Sequence, residues 1–285
     1  MKKFTNTDIV NYYDQTEVHY RMHWKLEEGM GLHYGIWDDK TKNLTEAVLN
    51  ANHRLLTLGE IKATDKVLDA GCGIGGSSIY LFKNVGCKVQ GITLSEKQVK
   101  TATKLAAGKG ASEMVSFSQQ DYTATNFPDS TFDVAWCIES MQTAQDKGLY
   151  FKEMSRVLKP GGRIVIADIF KPEAYNIDDE KDMQTMINGW AMSDILSIAE
   201  LHDISRKYAF HVSKLEDVTK EVRKSVDRMY LASIIGMFGT KWYNLFHNAS
   251  FFSKIHYKTG LAQKKAYKNK KWGYYLVVIE NRKPA

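Results

Sequence analysis

In the run Val67-Leu-Asp-Ala-Gly-Cys-Gly-Ile-Gly-Gly-Ser77 an apolar stretch ends in Asp69 and opens at once into Gly71, Gly73 and Gly75. Glycine removes side chains where a chain bends sharply and lets a ligand approach the main chain; open α/β sheets place ligands at the carboxyl ends of their strands. A tight strand-to-helix turn without a ligand uses the same residues, so the motif alone leaves both readings open. Three further acids close apolar runs. Asp121 ends Val115-Ser-Phe-Ser-Gln-Gln-Asp121, where it is placed to accept from the exocyclic amine of an adenine. Glu139 lies in Trp136-Cys-Ile-Glu-Ser140 and Asp168 ends Arg163-Ile-Val-Ile-Ala-Asp168. A carboxylate about 4 Å from a cation attracts it by about 4 kcal/mol at an effective dielectric near 20, enough to orient a charged centre. A glutamate at a strand end also serves as a helix N-terminal partner. His33, in Leu32-His-Tyr-Gly-Ile-Trp37, is a candidate base for a hydroxyl if the N-terminal segment folds over the site, or else a structural hydrogen-bonder.

These residues need strands to present them. Strands are predicted over Cys87 to Leu94, Val115 to Asp121, Phe132 to Ser140 and Leu158 to Asp168, the last entered through a Pro-Gly-Gly turn. A helix starts over Ser77 to Phe82. The second strand ends in Gly91-Ile-Thr-Leu-Ser-Glu-Lys-Gln98, with Thr93 and Gln98 where a nicotinamide-dependent dehydrogenase carries an acid for its ribose, which disfavours an oxidoreductase. Before this core, Thr7 or Asp8 is expected to cap a helix carrying Tyr12, Tyr13, Tyr20, His23 and Trp24, and Leu44, Val48, Leu55 and Leu58 recur at near-helical spacing. After it, a segment from about Lys171 to Ser205 carries Met183, Met186, Ile187, Trp190, Met192, Ile195 and Leu196 on one expected apolar helix face. Methionines at that spacing are ordinary core or a pliable roof over a bulky substrate that closes to exclude water. A helix is expected from near Asp217, and Trp272 to Glu280 reads as a last strand.

Composition sets the frame. A chain of 285 residues with 44% hydrophobic content matches one α/β core with elaborations, able to bury roughly three quarters of its unfolded surface. Cys72, Cys87 and Cys137 show no metal-ligand spacing, so no metal and a reducing compartment are expected. With no signal-peptide pattern and no run long enough for a membrane span, the expectation is cytoplasmic. The net charge of +6 owes much to Lys254, Lys258, Lys264, Lys265, Lys268, Lys270 and Lys271. Such a run is a solvated helix face or a binding surface for anions; nucleic acid is disfavoured because the aromatics do not interleave with the lysines, and peripheral membrane contact stays open.

Asp69-Ala-Gly-Cys-Gly-Ile-Gly, Gly91-Ile-Thr-Leu-Ser, Gln120-Asp121, Phe132-Asp-Val and Leu158-Lys-Pro-Gly-Gly, in that order, resemble the motif series of class I S-adenosylmethionine-dependent methyltransferases. Leu32 to Trp37, the Cys-Gly-Ile-Gly-Gly-Ser-Ser run and Trp136 to Ser140 resemble its small-molecule members in particular: the gamma-tocopherol, indolocarbazole sugar O- and sarcosine and dimethylglycine methyltransferases. The resemblance spans nearly the whole chain and weakens after about Glu173. It implies a Rossmann-like, doubly wound, mostly parallel seven-stranded sheet whose last strand is antiparallel, with Tyr208 to Leu215 and Tyr274 to Glu280 as its closing hairpin. Residues 1–62 would be a helical cap, 63–170 the core, 171–207 a lid, and 208–285 the hairpin with inserted lid helices that include Met229, Tyr230, Met237, Phe238, Trp242, Phe246 and Phe251.

The implied cofactor is S-adenosyl-L-methionine, yielding S-adenosyl-L-homocysteine, on Tyr12, Tyr20, Asp69, Gly71, Gly73, Gly75, Thr93, Leu94, Gln98, Asp121, Tyr122 and Ile138; Tyr13-Asp14 resembles a pair found near the methionine carboxylate. Glu139, Asp168 and His33 are the implied catalytic candidates, and Tyr34, Gln142, Met186, Trp190 and Met192 the substrate pocket. The acceptor implied is a bulky, largely apolar small molecule with an O, N or C nucleophile, the protein a monomer or homodimer. One departure matters: Gln142-Thr143 stands where sugar O-methyltransferases of this kind carry a histidine pair. Two other readings remain, a non-catalytic binder of the cofactor or its product and an NAD-linked oxidoreductase.

Overall fold

The computed structural model describes residues 3–24, 31–192, 194–246 and 251–284. Its seven strands are β1 Lys66–Ala70, β2 Lys88–Thr93, β3 Val115–Gln119, β4 Phe132–Ile138, β5 Leu158–Phe170, β6 Phe210–Asp217 and β7 Gly273–Asn281, in the order β3-β2-β1-β4-β5-β7-β6. Pairs β1/β2, β2/β3, β1/β4 and β4/β5 are parallel, and β7 runs antiparallel to both β5 and β6. The central strands are apolar on both faces because helices cover both: along β4, Val134 and Trp136 enter one core and Ala135 and Cys137 the other. The strand order reverses beside β1, and the crevice outside β1 and β4 is the switch point at which such sheets bind ligands.

The helices are α1 Asn6–Trp24, α2 Leu44–Leu58, α3 Gly76–Val85, α4 Glu96–Gly108, α5 Lys147–Val157, α6 Lys181–Gly189, α7 Ile198–Lys207, α8 Arg223–Phe246 and α9 Phe251–Lys268. α2 is capped by Asn43, α4 by Ser95 and α5 by Asp146, each side chain accepting a backbone N–H of the first turn. The cap of α1 is neither Thr7 nor Asp8 but Thr5, whose hydroxyl accepts Asp8 N–H while the Asp8 carboxylate accepts Thr5 N–H.

Other expectations shift for physical reasons. Pro160-Gly161-Gly162 is not a turn ahead of β5 but a bulge within it: the register with β4 jumps from Phe132↔Leu158 to Val134↔Arg163, and Gly161 takes φ +73°. The segment expected as one apolar helix face folds as two helices with different tasks. α6 puts Met183, Met186 and Ile187 into the core on the α2 and α3 side, whereas α7, set by a Ser197–Glu200 capping box, places Leu201 with Phe210 and Val212 on the opposite face. β6 continues through Asp217, and the helix expected there begins at Arg223, after Val218 and Val222 are buried. The side chains of Tyr20, His23, Trp24, Trp242, Phe246 and Phe251 lie outside the described residues.

Candidate active site

At the carboxyl ends of β1, β2, β4 and β5 lies a cavity of about 150 Å³, closed from above by α1, the segment 31–34, the end of α6 and the start of α8. Its floor is the glycine turn. Gly71, Gly73 and Gly75 have φ of +97°, +53° and +84°. A Cβ on Gly71 would stand 2.4 Å from Ser140 Cβ and one on Gly75 2.5 Å from Phe117 Cζ, but one on Gly73 would meet nothing within 4 Å. Gly71 and Gly75 therefore let the turn pack, and Gly73 keeps open the space in front of it. Gly71 and Gly73 line the cavity; Gly75 lies behind it.

Asp69 faces the cavity with Ser78 Oγ donating to its Oδ2 at 2.6 Å, and burial pushes its carboxyl up to about 7. At the end of β2, Thr93 Oγ1 donates to Gln98 Oε1 at 2.6 Å, and Thr93, Leu94 and Gln98 all line the cavity. Ser95 caps α4 and donates its hydroxyl to Asp14 Oδ1 at 2.9 Å, which ties α1 down so that Ile9, Val10, Tyr12 and Tyr13 reach the cavity. Asp121 is spent differently. Oδ1 accepts Thr123 N and Oγ1, Oδ2 accepts Asn6 Nδ2, and the neighbours Gln120 and Tyr122 line the cavity in its place.

The other wall is built around two acids. Glu139 sits at φ +49°, a conformation that costs a non-glycine residue about 1–2 kcal/mol, and it is pinned there by its N–H donating to Ala167 O at 2.8 Å. Its Oε1 accepts from Tyr34 N (2.7 Å) and Tyr274 Oη (2.8 Å); among the described residues no hydrogen bond reaches Oε2. Burial pushes this carboxyl up to about 8, against the pull of those two donors and with help from the nearby Asp168 charge. Glu139 keeps some exposed surface, and it faces the cavity.

Asp168 is fully buried, with Oδ1 accepting Ile169 N (2.9 Å) and Oδ2 accepting Gln142 N (3.2 Å); burial raises it to about 7. Beneath it Lys147 donates to the carbonyls of Gln142, Ala144 and Asp194, and burial brings its ammonium down to about 8. His33 lines the cavity, yet Asn52 Nδ2 lies 3.3 Å from Nε2 and Tyr34 O 3.0 Å from Nδ1, so Nδ1–H donates and Nε2 accepts. Burial lowers its pKa to about 4, which leaves the ring neutral.

Of the residues expected in a substrate pocket, Tyr34, Trp190 and Met192 line the cavity, and Ile138 does so from the end of β4. The Tyr34 ring meets Trp190 and Tyr274 edge-on at 6.4 and 5.7 Å, and its hydroxyl donates to Gln263 Oε1 at 2.8 Å. Met186 and Gln142 do not reach the cavity. Met186 is wholly within the core, and Gln142 is a brace whose Nε2 donates to Ile169 O and whose Oε1 accepts Leu196 N. The next residue, Thr143, does line the cavity, 2.8 Å from the Tyr122 hydroxyl. Two site residues were not expected: Ile169, whose local signal is its place next to Asp168 at the end of β5, and Tyr274, whose hydroxyl reaches Glu139 with no local spacing to mark it, since β7 returns to the site only through sheet pairing.

A doubly wound sheet with a ligand cavity at its switch point, an open glycine turn and uncharged Thr93 and Gln98 at the end of β2 defines a Rossmann-like ligand-binding core. Residues 68–166 match the family described as a methyltransferase domain. The chain is 32% identical over 200 residues to 27-O-demethylrifamycin SV methyltransferase of Amycolatopsis mediterranei, covering 69% of this chain and 72% of that protein. It is 31% identical to norajmaline N-methyltransferase of Rauvolfia serpentina, covering 67% and 70%. A solved structure of geranyl diphosphate methyltransferase with GPP and sinefungin superposes with a TM-score of 0.79 at 22% identity, covering 97% of this chain and 99% of that one, which speaks to the fold. The chain belongs to the class I S-adenosylmethionine-dependent methyltransferases, and its cofactor is S-adenosyl-L-methionine. The residues present fit that donor: the space in front of Gly73, the buried Asp69, and the uncharged Thr93 and Gln98.

Proposed function

We propose that this methyltransferase acts on a bulky, largely apolar small molecule, and that Glu139 receives or holds the proton of its attacking oxygen or nitrogen. The observation that carries the proposal is the second oxygen of Glu139: a buried carboxyl raised to about 8, one oxygen fixed by Tyr34 and Tyr274, faces a wall made of Tyr34, Ile169, Trp190, Met192 and Met229. A group whose pKa lies near the working pH serves best as a general base. Asp168 also lines the cavity, each of its oxygens accepting one backbone N–H; its part is to fix the turn at Gln142 and add negative potential beside Glu139. His33, neutral and with both ring nitrogens engaged, positions Tyr34 rather than moving a proton.

Asp69, Gly71, Gly73, Thr93, Leu94, Gln98, Tyr12, Tyr122 and Ile138 would hold the cofactor, which when bound supplies a methyl group already activated on a sulfonium sulfur. The protein's own work is then to align the acceptor and keep water out. The relatives named above for a rifamycin and for norajmaline support a large acceptor, with oxygen and nitrogen both in range. Three free, buried cysteines suit a reducing compartment.

Glu139→Gln tests the reading. Release of S-adenosylhomocysteine should fall about 10²–10⁴-fold, the usual worth of a positioned base, with cofactor affinity within about threefold of the parent. The parent rate should climb with pH through about 8 and then level, because the base form of Glu139 grows over that window. Full turnover in the variant sinks the proposal. A parent that binds the cofactor and never turns over would favour the non-catalytic binder.

A further inference from the structure

Among the described residues five large apolar side chains are exposed, and three of them, Leu231 (58%), Ile235 (68%) and Phe238 (67%), lie on one helix, α8. With the exposed Lys224 and Arg228 they follow spacings of four, three, four and three, so all five share one stripe of that helix, basic toward its start and apolar further on. The stripe sits in a strongly biased part of the chain. Residues 223–271 hold eleven Lys and Arg against one Asp, while the whole chain holds 39 against 33, which leaves 28 against 32 elsewhere. Lys264, Lys265 and Lys271 are paired with Asp227, Asp182 and Glu180, but Lys258, Lys268 and Lys270 are exposed, as are Lys224 and Arg228.

We propose that this stripe of α8 docks the enzyme on an anionic lipid bilayer, with Leu231, Ile235 and Phe238 entering the interface and the surrounding lysines and arginines meeting the headgroups. A helix with apolar and basic residues on one face is suited to lie in that plane, and the basic excess of the chain is concentrated in the segment that carries it. A second copy of the chain fits the stripe less well, because a two-fold contact centred on Leu231 sets the charged Lys224 and Arg228 against the apolar Phe238 and Ile235 of the other copy. Nucleic acid fits less well too, since it gives three aliphatic and aromatic side chains nowhere dry to go. The same helix carries Met229 on its opposite face, where it lines the active-site cavity and lies 3.9 Å from the Tyr34 hydroxyl, so a docked α8 would lie between the cavity and the bilayer. The docking claim does not depend on which acceptor is methylated.

Flotation of the full-length protein with vesicles tests it, using phosphatidylcholine alone and phosphatidylcholine with about one-third phosphatidylglycerol. The protein should float with the anionic vesicles, about tenfold less with the neutral ones, and less again as salt is raised. Lys224→Glu with Arg228→Glu should lower the anionic partition at least about tenfold. Leu231→Ser with Ile235→Ser and Phe238→Ser should lower it by about as much, with methyl transfer to a water-soluble acceptor unchanged. Equal flotation of parent and both variants overturns the proposal. So does an absence of flotation, whether the apolar variant changes the oligomeric state on gel filtration or the parent retards single-stranded RNA.

Discussion

On the proposed assignment, the donor side of the cavity comes almost whole from one stretch, Asp69 to Gln98, with α1 laid across it; the acceptor side is assembled from Tyr34, Glu139, Ile169, Trp190 and Met229, each on a different segment, with Tyr274 behind Glu139. The two sides are also held differently. Backbone turns and close packing fix the first: a Cβ on Gly71 or Gly75 runs into Ser140 or Phe117. Side-chain hydrogen bonds and ring contacts fix the second: Tyr34 alone joins Glu139, Gln263, Trp190 and Tyr274. A turn made of backbone tolerates little change and binds one ligand. A wall of Trp, Met and Tyr side chains can be re-cut for another acceptor without unmaking the fold.

The largest expected effects therefore fall on the donor side. Asp69→Ala should weaken cofactor binding at least about 100-fold by calorimetry, since it removes a buried carboxyl and leaves Ser78 Oγ without its acceptor. Near-parental affinity would erase the distinction between the two sides. Within the turn, Gly71→Ala should cost about 2–4 kcal/mol of stability, from the clash with Ser140 together with φ +97°. Gly73→Ala should cost about 1–2 kcal/mol, from its positive φ alone, and show its main loss in cofactor affinity. Equal melting temperatures for the two variants would mean that the open space at Gly73 is not reserved for a ligand.

A smaller effect should mark the acceptor side. Trp190→Ala should raise KM for the acceptor about tenfold or more, the worth of a lost aromatic wall, while cofactor affinity stays within about twofold. If kcat alone falls, the wall aligns rather than binds.

This division also governs what could be read from the chain. The glycine turn and the end of β2 were legible because a βα unit is contiguous, and its chemistry follows from spacing. Asp121 was less legible because an acid after a strand folds back on its own turn as readily as it meets a ligand; here its oxygens accept from Thr123 and Asn6. Gln142 and Met186 have the polarity and size of pocket residues but are consumed in bracing and core, a choice set by tertiary packing. The sheet order and the antiparallel β7 agree with the family resemblance, yet the split of segment 171–207 into one cavity-side helix and one far-face helix depends on which side of the sheet each apolar face finds.

The smallest expected effect tests whether either side stores energy in its acids. Asp69, Glu139 and Asp168 have pKa values raised by burial to about 7, 8 and 7. A carboxyl raised in the folded state holds its proton where the unfolded chain has lost it, so unliganded stability should fall as pH climbs from about 4.5 through about 8. His33 acts with the opposite sign: its pKa drops from 6.5 to about 4, so its contribution is lost as pH falls from 6.5 toward 4. Glu139→Gln keeps an oxygen for Tyr34 N and Tyr274 Oη but removes the titration. The variant should match the parent near pH 5 and exceed it at pH 9 by about 1–3 kcal/mol, or about 2–6 °C in Tm, less than the full pKa shift because the carboxyl opens on the cavity. Asp69→Asn should behave in the same way if the donor side is strained as well. A gain confined to Glu139→Gln would locate the stored energy on the acceptor side alone, where the left-handed backbone of Glu139 already points, and a loss for Glu139→Gln at both pH values would show that this carboxylate is stabilised by its neighbours rather than burdened by burial.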